Sequence, residues 1–253
     1  MMIELNEIVR YLDTELRIAE IADYPGALNG LQLMNNGKVT KVAAAVDASL
    51  VVFEKAIDAG ADLLIVHHGM FWQGAQKLVG AQYKKMKLAL DANMAVYSAH
   101  IPLDIHEEWG NNVLLCNKIG MQNTEKFHLW KGELLGLKED MDFSLAELAD
   151  RVRVAVGGEV NICRGGDSSN VGMVGVITGG AGSEVQAMAD AGINTFVTGE
   201  GPHWSYPLAE ELGINVIYGG HYATETFGVL KLTEVLAQRY SLCKYFVEHP
   251  SGL

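Results

Sequence analysis

The chain has 253 residues, 49% of them hydrophobic and 20% charged, which is enough apolar surface for one large domain or two lobes and excludes disorder for the whole. Its net charge of −12, with no basic stripe interleaved with aromatics, argues against a nucleic-acid-binding module. The three cysteines (Cys116, Cys163 and Cys243) stand far apart with no CxxC pair, which excludes a disulfide framework and fits a reducing compartment.

Leu5, Ile8, Val9, Leu12 and Leu16 recur at helical spacing and predict an amphipathic first helix. That segment lacks the basic and apolar regions of a secretory signal, and no apolar run approaches the ~20 residues of a membrane span. A cytoplasmic location with no membrane partner is therefore expected. A turn-rich stretch follows, running from Asp23-Tyr24-Pro25-Gly26 to Asn29-Gly30-Leu31-Gln32. Residues 42–46 (VAAAV) predict a buried strand, and residues 49–59 a helix stopped by Gly60. The next strand, 63–66, runs straight into His67-His68-Gly69. A helix near 81–92 and a strand at 95–98 lead to His100-Ile101-Pro102-Leu103-Asp104. Strand and helix alternate, so the expected fold class is α/β with a largely parallel sheet.

The second half repeats the first. Residues 174–204 align without gaps on 42–72 at an offset of 132, with six of 31 positions identical, including Asp58-Ala59-Gly60 over Asp190-Ala191-Gly192, Gly69 over Gly201, and Trp72 over Trp204. At an offset of 121, Tyr97, His100 and Asp104 lie over Tyr218, His221 and Glu225. Two similar α/β lobes are expected, 1–125 and 126–253, with equivalent strand ends turned toward a shared centre. The more polar stretch 126–170 is expected to decorate the second lobe, with a helix around 144–155.

His67, His68, His100 and His221 all fall just after expected strands, where parallel α/β sheets bind ligands. The adjacent pair His67-His68 opens into a glycine turn and suits two metal ions better than one. His100/Asp104 and His221/Glu225 are spaced i, i+4, so each pair shares a face if its segment is helical. No GxSxG elbow and no phosphate-loop motif occurs. The glycines at 165–166 and 179–182 read as tight turns rather than phosphate cradles.

These motifs together resemble the Nif-three-like dinuclear-metal family, whose members are often labelled GTP cyclohydrolase I type 2 homologues. The resemblance rests on Asn29-Gly30-Leu31-Gln32, His67-His68-Gly69, His100-Ile101-Pro102-Leu103-Asp104 with Gly110-Asn111-Asn112, Thr198-Gly199-Glu200, and Gly220-His221-Tyr222-Ala223-Thr224-Glu225. It spans about residues 3–247. Many members carry proline after the double histidine, where this chain has Gly69. The resemblance implies two α/β lobes with a dimetal site in the cleft between them. Carried over position by position, the ligands are His67, His68, Asp104, His221 and Glu225, with His100 retained beside the site. It also implies a ring-shaped homohexamer.

Imidazole and carboxylate ligands without thiolate suit two divalent ions of Zn, Fe, Mn, Co or Ni. Two such ions bring +4 against the two ligand carboxylates, so an anionic small molecule fits the site. The leading expectation is a metal-dependent hydrolase acting on a phosphorylated or nucleotide-like small molecule. In it Glu225 bridges the metals, His67 and His68 fall on different ions, and Glu200 and His100 are the acid/base candidates. The alternative is a non-enzymatic metal-binding ring scaffold or metallochaperone-like protein.

Overall fold

The computed structural model describes residues 2–74 and 76–252. The chain divides into two compact units, Met1–Leu103 with Gly228–His249 and Asp104–Phe227 with Pro250–Leu253. Both are mixed α/β.

In the first unit β1 (Ile3–Glu4) pairs antiparallel with β3 (Lys38–Val39), and α1 (Leu5–Glu15) buries Leu5, Ile8 and Leu12 as the helical spacing requires. The main sheet has five strands. β4 (Lys41–Asp47), β5 (Leu63–His68) and β6 (Ala95–Ser98) run parallel, β2 (Gly30–Leu33) joins β6 antiparallel, and β13 (Cys243–Phe246) joins β4 parallel. The crossovers are α2 (Leu50–Asp58) and α3 (Gly80–Asp91). Ser49 starts α2 by accepting the Val52 N–H. β4 and β5 are almost continuously apolar because both faces are covered. Ala43, Ala45, Leu64, Val66 and Val96 pack with Phe53 and Ala56 of α2. The expected strand at 63–66 is two residues longer, so both histidines end the strand itself. The unit is completed by most of α10 (Thr226–Tyr240), in which Val229, Leu232 and Leu236 are buried.

The second unit holds a six-stranded sheet. β10 (Gly172–Val176), β11 (Thr195–Thr198) and β12 (Asn215–Tyr218) are parallel. β8 (Glu133–Met141) pairs antiparallel with β10, β7 (Glu125–Trp130) with β8, and β9 (Asn161–Arg164) with β12. Successive residues feed opposite faces. Val174, Val197 and Ile217 pack with Leu115 and Ile119 of α5 (Asn111–Ile119) and with Leu148 and Val152 of α6 (Leu145–Val156). Phe196 and Val216 pack with Val185 and Met188 of α7 (Val185–Asp190) and Ala209 of α8 (Ser205–Leu212). The helix expected at 144–155 is α6, capped by Ser144 accepting the Glu147 N–H.

The stretch 126–170 was expected as decoration. Instead it builds most of β7 and all of β8 and β9, half the strands of this sheet. β7 and β9 are the two edges of the sheet, and in β7 only Phe127 is buried, so no apolar run marks that strand. Gly165 is a packing glycine, since a Cβ there would meet the carbonyls of Ala209 (2.5 Å) and Ile214. No helix among the described residues is long and apolar enough to cross a membrane.

Candidate metal centre

In the first unit three imidazoles converge at the carboxyl ends of β5 and β6. His67 is fully buried, and its Nδ1 donates to the Ala99 carbonyl at 2.8 Å. His68 sits opposite Asp47 in the β4–β5 register, and its Nδ1 lies 2.8 Å from Asp47 Oδ1. His100, just past β6, places Nδ1 2.9 Å from Asp23 Oδ1. One ring nitrogen from each of the three lies within 4.8 Å of the others. Because each Nδ1 faces an oxygen acceptor, an imidazole here that is neutral carries its hydrogen on Nδ1 and its lone pair on Nε2. Metal-ligating histidines are held in this way.

The Asn29-Gly30-Leu31-Gln32 motif braces this group. Asn29 Oδ1 accepts the His100 N–H at 2.8 Å, while its Nδ2 donates to Asp23 at 2.8 Å. Gln32 accepts the Met70 N–H at 2.7 Å and donates to the carbonyls of Ala27 and Leu28. Its amide lies against Gly69, where any Cβ would overlap it. Burial alone would raise the Asp23 carboxyl pKa. Hydrogen bonds and charge from His100, with hydrogen bonds from Asn29 and the Tyr24 N–H, outweigh burial and hold it below the usual carboxylate range. Trp72 meets His100 edge-on at 4.7 Å and forms an aromatic wall with Tyr24.

In the second unit His221 opens the short helix α9 (His221–Thr224) after Gly220, whose φ of 91° lies in the left-handed region glycine favours. Its Nδ1 lies 2.8 Å from Glu200 Oε1 and its Nε2 3.2 Å from Glu225 Oε2. Burial opposes protonation of His221, but hydrogen bonds and charge from Glu225, then Glu200, overcome it and push the pKa up to about 9. The Glu225 carboxylate is only 3% exposed. A proton on Nε2 thus supplies the positive charge that a metal cation would supply between imidazole and carboxylate.

Asp104 ends the short helix α4 (Ile101–Asp104), is buried, and accepts from Asn111 Nδ2 at 2.8 Å. Asn112 accepts from the N–H and hydroxyl of Thr178 and so fixes the loop after β10. Gly179 in that loop lies against the Glu225 carboxylate, a poor setting for a phosphate.

Of the residues singled out in the sequence, His67, His68 and His100 come together in the first unit. Glu200, His221 and Glu225 come together in the second, where Asp104 is oriented by Asn111. Asp47 and Asp23, which orient His68 and His100, escaped the sequence reading. The signal for Asp47 was an acid closing the strand beside the one that ends in His67-His68. Asp23 sat in a segment legible only as a turn.

An α/β chain with histidines and carboxylates gathered at strand ends is the class of protein that this fold and these side chains define. The Duf34/NIF3 (NGG1p interacting factor 3) family model matches residues 3–250, and the chain belongs to that family. It is 36% identical over 250 residues to the GTP cyclohydrolase 1 type 2 homolog of Deinococcus radiodurans, covering 98% of this chain and 94% of that one. It is 37% identical to the protein of the same description from Archaeoglobus fulgidus, covering 98% and 99%. Among solved structures, TTHA1606 from Thermus thermophilus superposes with a TM-score of 0.90 at 37% identity, covering 99% of this chain and 100% of that one.

Proposed function

We propose that the chain binds two divalent metal ions through His67, His68, Asp104, His221 and Glu225, and hydrolyses a phosphorylated or nucleotide-like small molecule. The observation that carries this reading is how the imidazoles are held: Nδ1 of His67, His68 and His100 each lies within 2.9 Å of an oxygen. That arrangement fixes the tautomer and aims Nε2 as a ligand. The donor set, imidazole and carboxylate without thiolate, suits Zn, Fe, Mn, Co or Ni.

The ligands come from both sequence halves. In this reading they close one centre in a cleft between two related lobes. The run of three parallel strands with an antiparallel edge strand in each unit supports the relationship. A bound pair of divalent ions supplies Lewis acidity and lowers the pKa of water. The protein's own groups orient and hold protons: Asp47 and the Ala99 carbonyl fix His68 and His67, Glu200 holds the Nδ1 proton of His221, and Asp23 that of His100. Glu200 and His100 are the acid/base groups of this reading. The nucleotide-like substrate is supported by the description carried by the relatives. The chain assembles as a homohexamer in this proposal.

The test combines elemental analysis with turnover. Up to two transition-metal ions per chain are expected, with hydrolysis of a phosphoester or nucleotide that Glu225→Ala abolishes. Metal content that never exceeds one ion after reconstitution overturns the dinuclear reading. Reversible metal transfer without turnover favours the scaffold or metallochaperone.

A further inference from the structure

A cavity of about 700 Å³ opens in the second unit at the carboxyl ends of β11 and β12. That position, beyond the strand ends of a parallel run, is where open α/β sheets bind small molecules, and the volume suits one. Glu159 and Glu200 line it, with Asn161, His203, Tyr206 and Tyr218.

The lining has a definite chemistry. No lysine or arginine is among the described residues that line the cavity, whereas two carboxylates are. The Glu159 side chain is 92% exposed and paired with Arg153 at 3.3 Å, whereas that of Glu200 is 42% exposed and less screened by solvent, which makes Glu200 the principal acceptor. One Glu200 oxygen, Oε1, meets His221 Nδ1, and a carboxylate has acceptor capacity beyond one such bond. The phenol of Tyr218 is bound to Ser205 Oγ at 2.9 Å, and that of Tyr206 reaches the Ile162 carbonyl at 3.4 Å. With their polar ends committed to the protein, both residues offer ring surface to the cavity. Tyr206 is 40% exposed, a large apolar surface for a residue beside a concave site.

Aromatic walls with a carboxylate acceptor and no cation favour a flat ring bearing N–H donors and disfavour a phosphate. We propose that this cavity binds an amino-substituted aromatic heterocycle, stacked on Tyr206 and donating N–H hydrogen bonds to Glu200. The inference requires no ion, although it shares Glu200 with the metal reading, in which that residue holds His221.

The test is a fluorescence titration of the full chain with 2-aminopurine, with metal content measured on the same samples. Saturable binding with a dissociation constant below about 1 mM is expected. Purine, which lacks the amine, should compete at least about tenfold more weakly, because the bond to the carboxylate is charge-assisted. Tyr206→Ala should weaken binding by about tenfold or more through lost stacking, and Tyr206→Phe should restore it. Glu200→Gln should weaken it as well. Binding that does not saturate, equal competition by purine, or a Tyr206→Ala variant that binds like the parent overturns the proposal. A chain that binds 2-aminopurine but no metal sinks the metal reading alone, and the converse result sinks this one alone.

Discussion

The protonation of His221 can be turned into a measurement of folding stability in the metal-free chain. In the unfolded chain its imidazole titrates near 6.5, and in the folded unit Glu225 and Glu200 push it up to about 9. The folded state therefore binds this proton more tightly. Its contribution is fully present below pH 6.5 and is lost as pH rises through about 9. The shift corresponds to roughly 3 kcal/mol. At 28% side-chain exposure, solvent screens only part of it. Glu225→Gln removes the largest influence that raises the pKa and leaves the opposing burial in place. Urea denaturation in chelator at about pH 6 and about pH 9.5 should show the parent losing about 2–3 kcal/mol more than the variant across that interval. An NMR titration of the His221 ring should place its midpoint near 9 in the parent and lower in the variant. Equal losses in both proteins would refute the reasoning.

Three further outcomes are expected. Asp47→Asn should lower metal affinity by about 10–100-fold without unfolding the chain, measured by competition with a chromophoric chelator, because His68 loses the carboxylate that orients it. Gly165→Ala should destabilise by about 2 kcal/mol or more in denaturant melts, since its Cβ would meet two backbone carbonyls that cannot rotate away. Light scattering should give six times the chain mass, and a monomer at micromolar concentration removes the hexamer.

The parallel strands were legible because strands buried on both faces are written as apolar runs: residues 42–46 and 95–98 fall within β4 and β6. α2 was legible from helical spacing and from Gly60, which stops it. The antiparallel edges were not. Half-exposed strands such as β7 carry charge at Glu125 and Lys126, and their pairing partner is set by the hairpin rather than by hydrophobicity. At the centre, His67 and His68 stood out as a motif. Their partners did not, since the Ala99 carbonyl has no side-chain signature and Asp23 acts on His100 from 77 residues away in the chain.

The strand β13 has a consequence for how the protein is made. Residues 243–246 cover the edge of β4, so the first unit's sheet waits for a strand made after all those of the second unit's sheet, every one of which lies between residues 125 and 218. On the ribosome the later-encoded sheet can close before the earlier one is complete, which reverses the usual order of synthesis and folding. Until then β4 presents an apolar, unpaired edge to the crowded cell. A nascent chain stalled between residues 218 and 243 is thus the species most exposed to strand-to-strand aggregation.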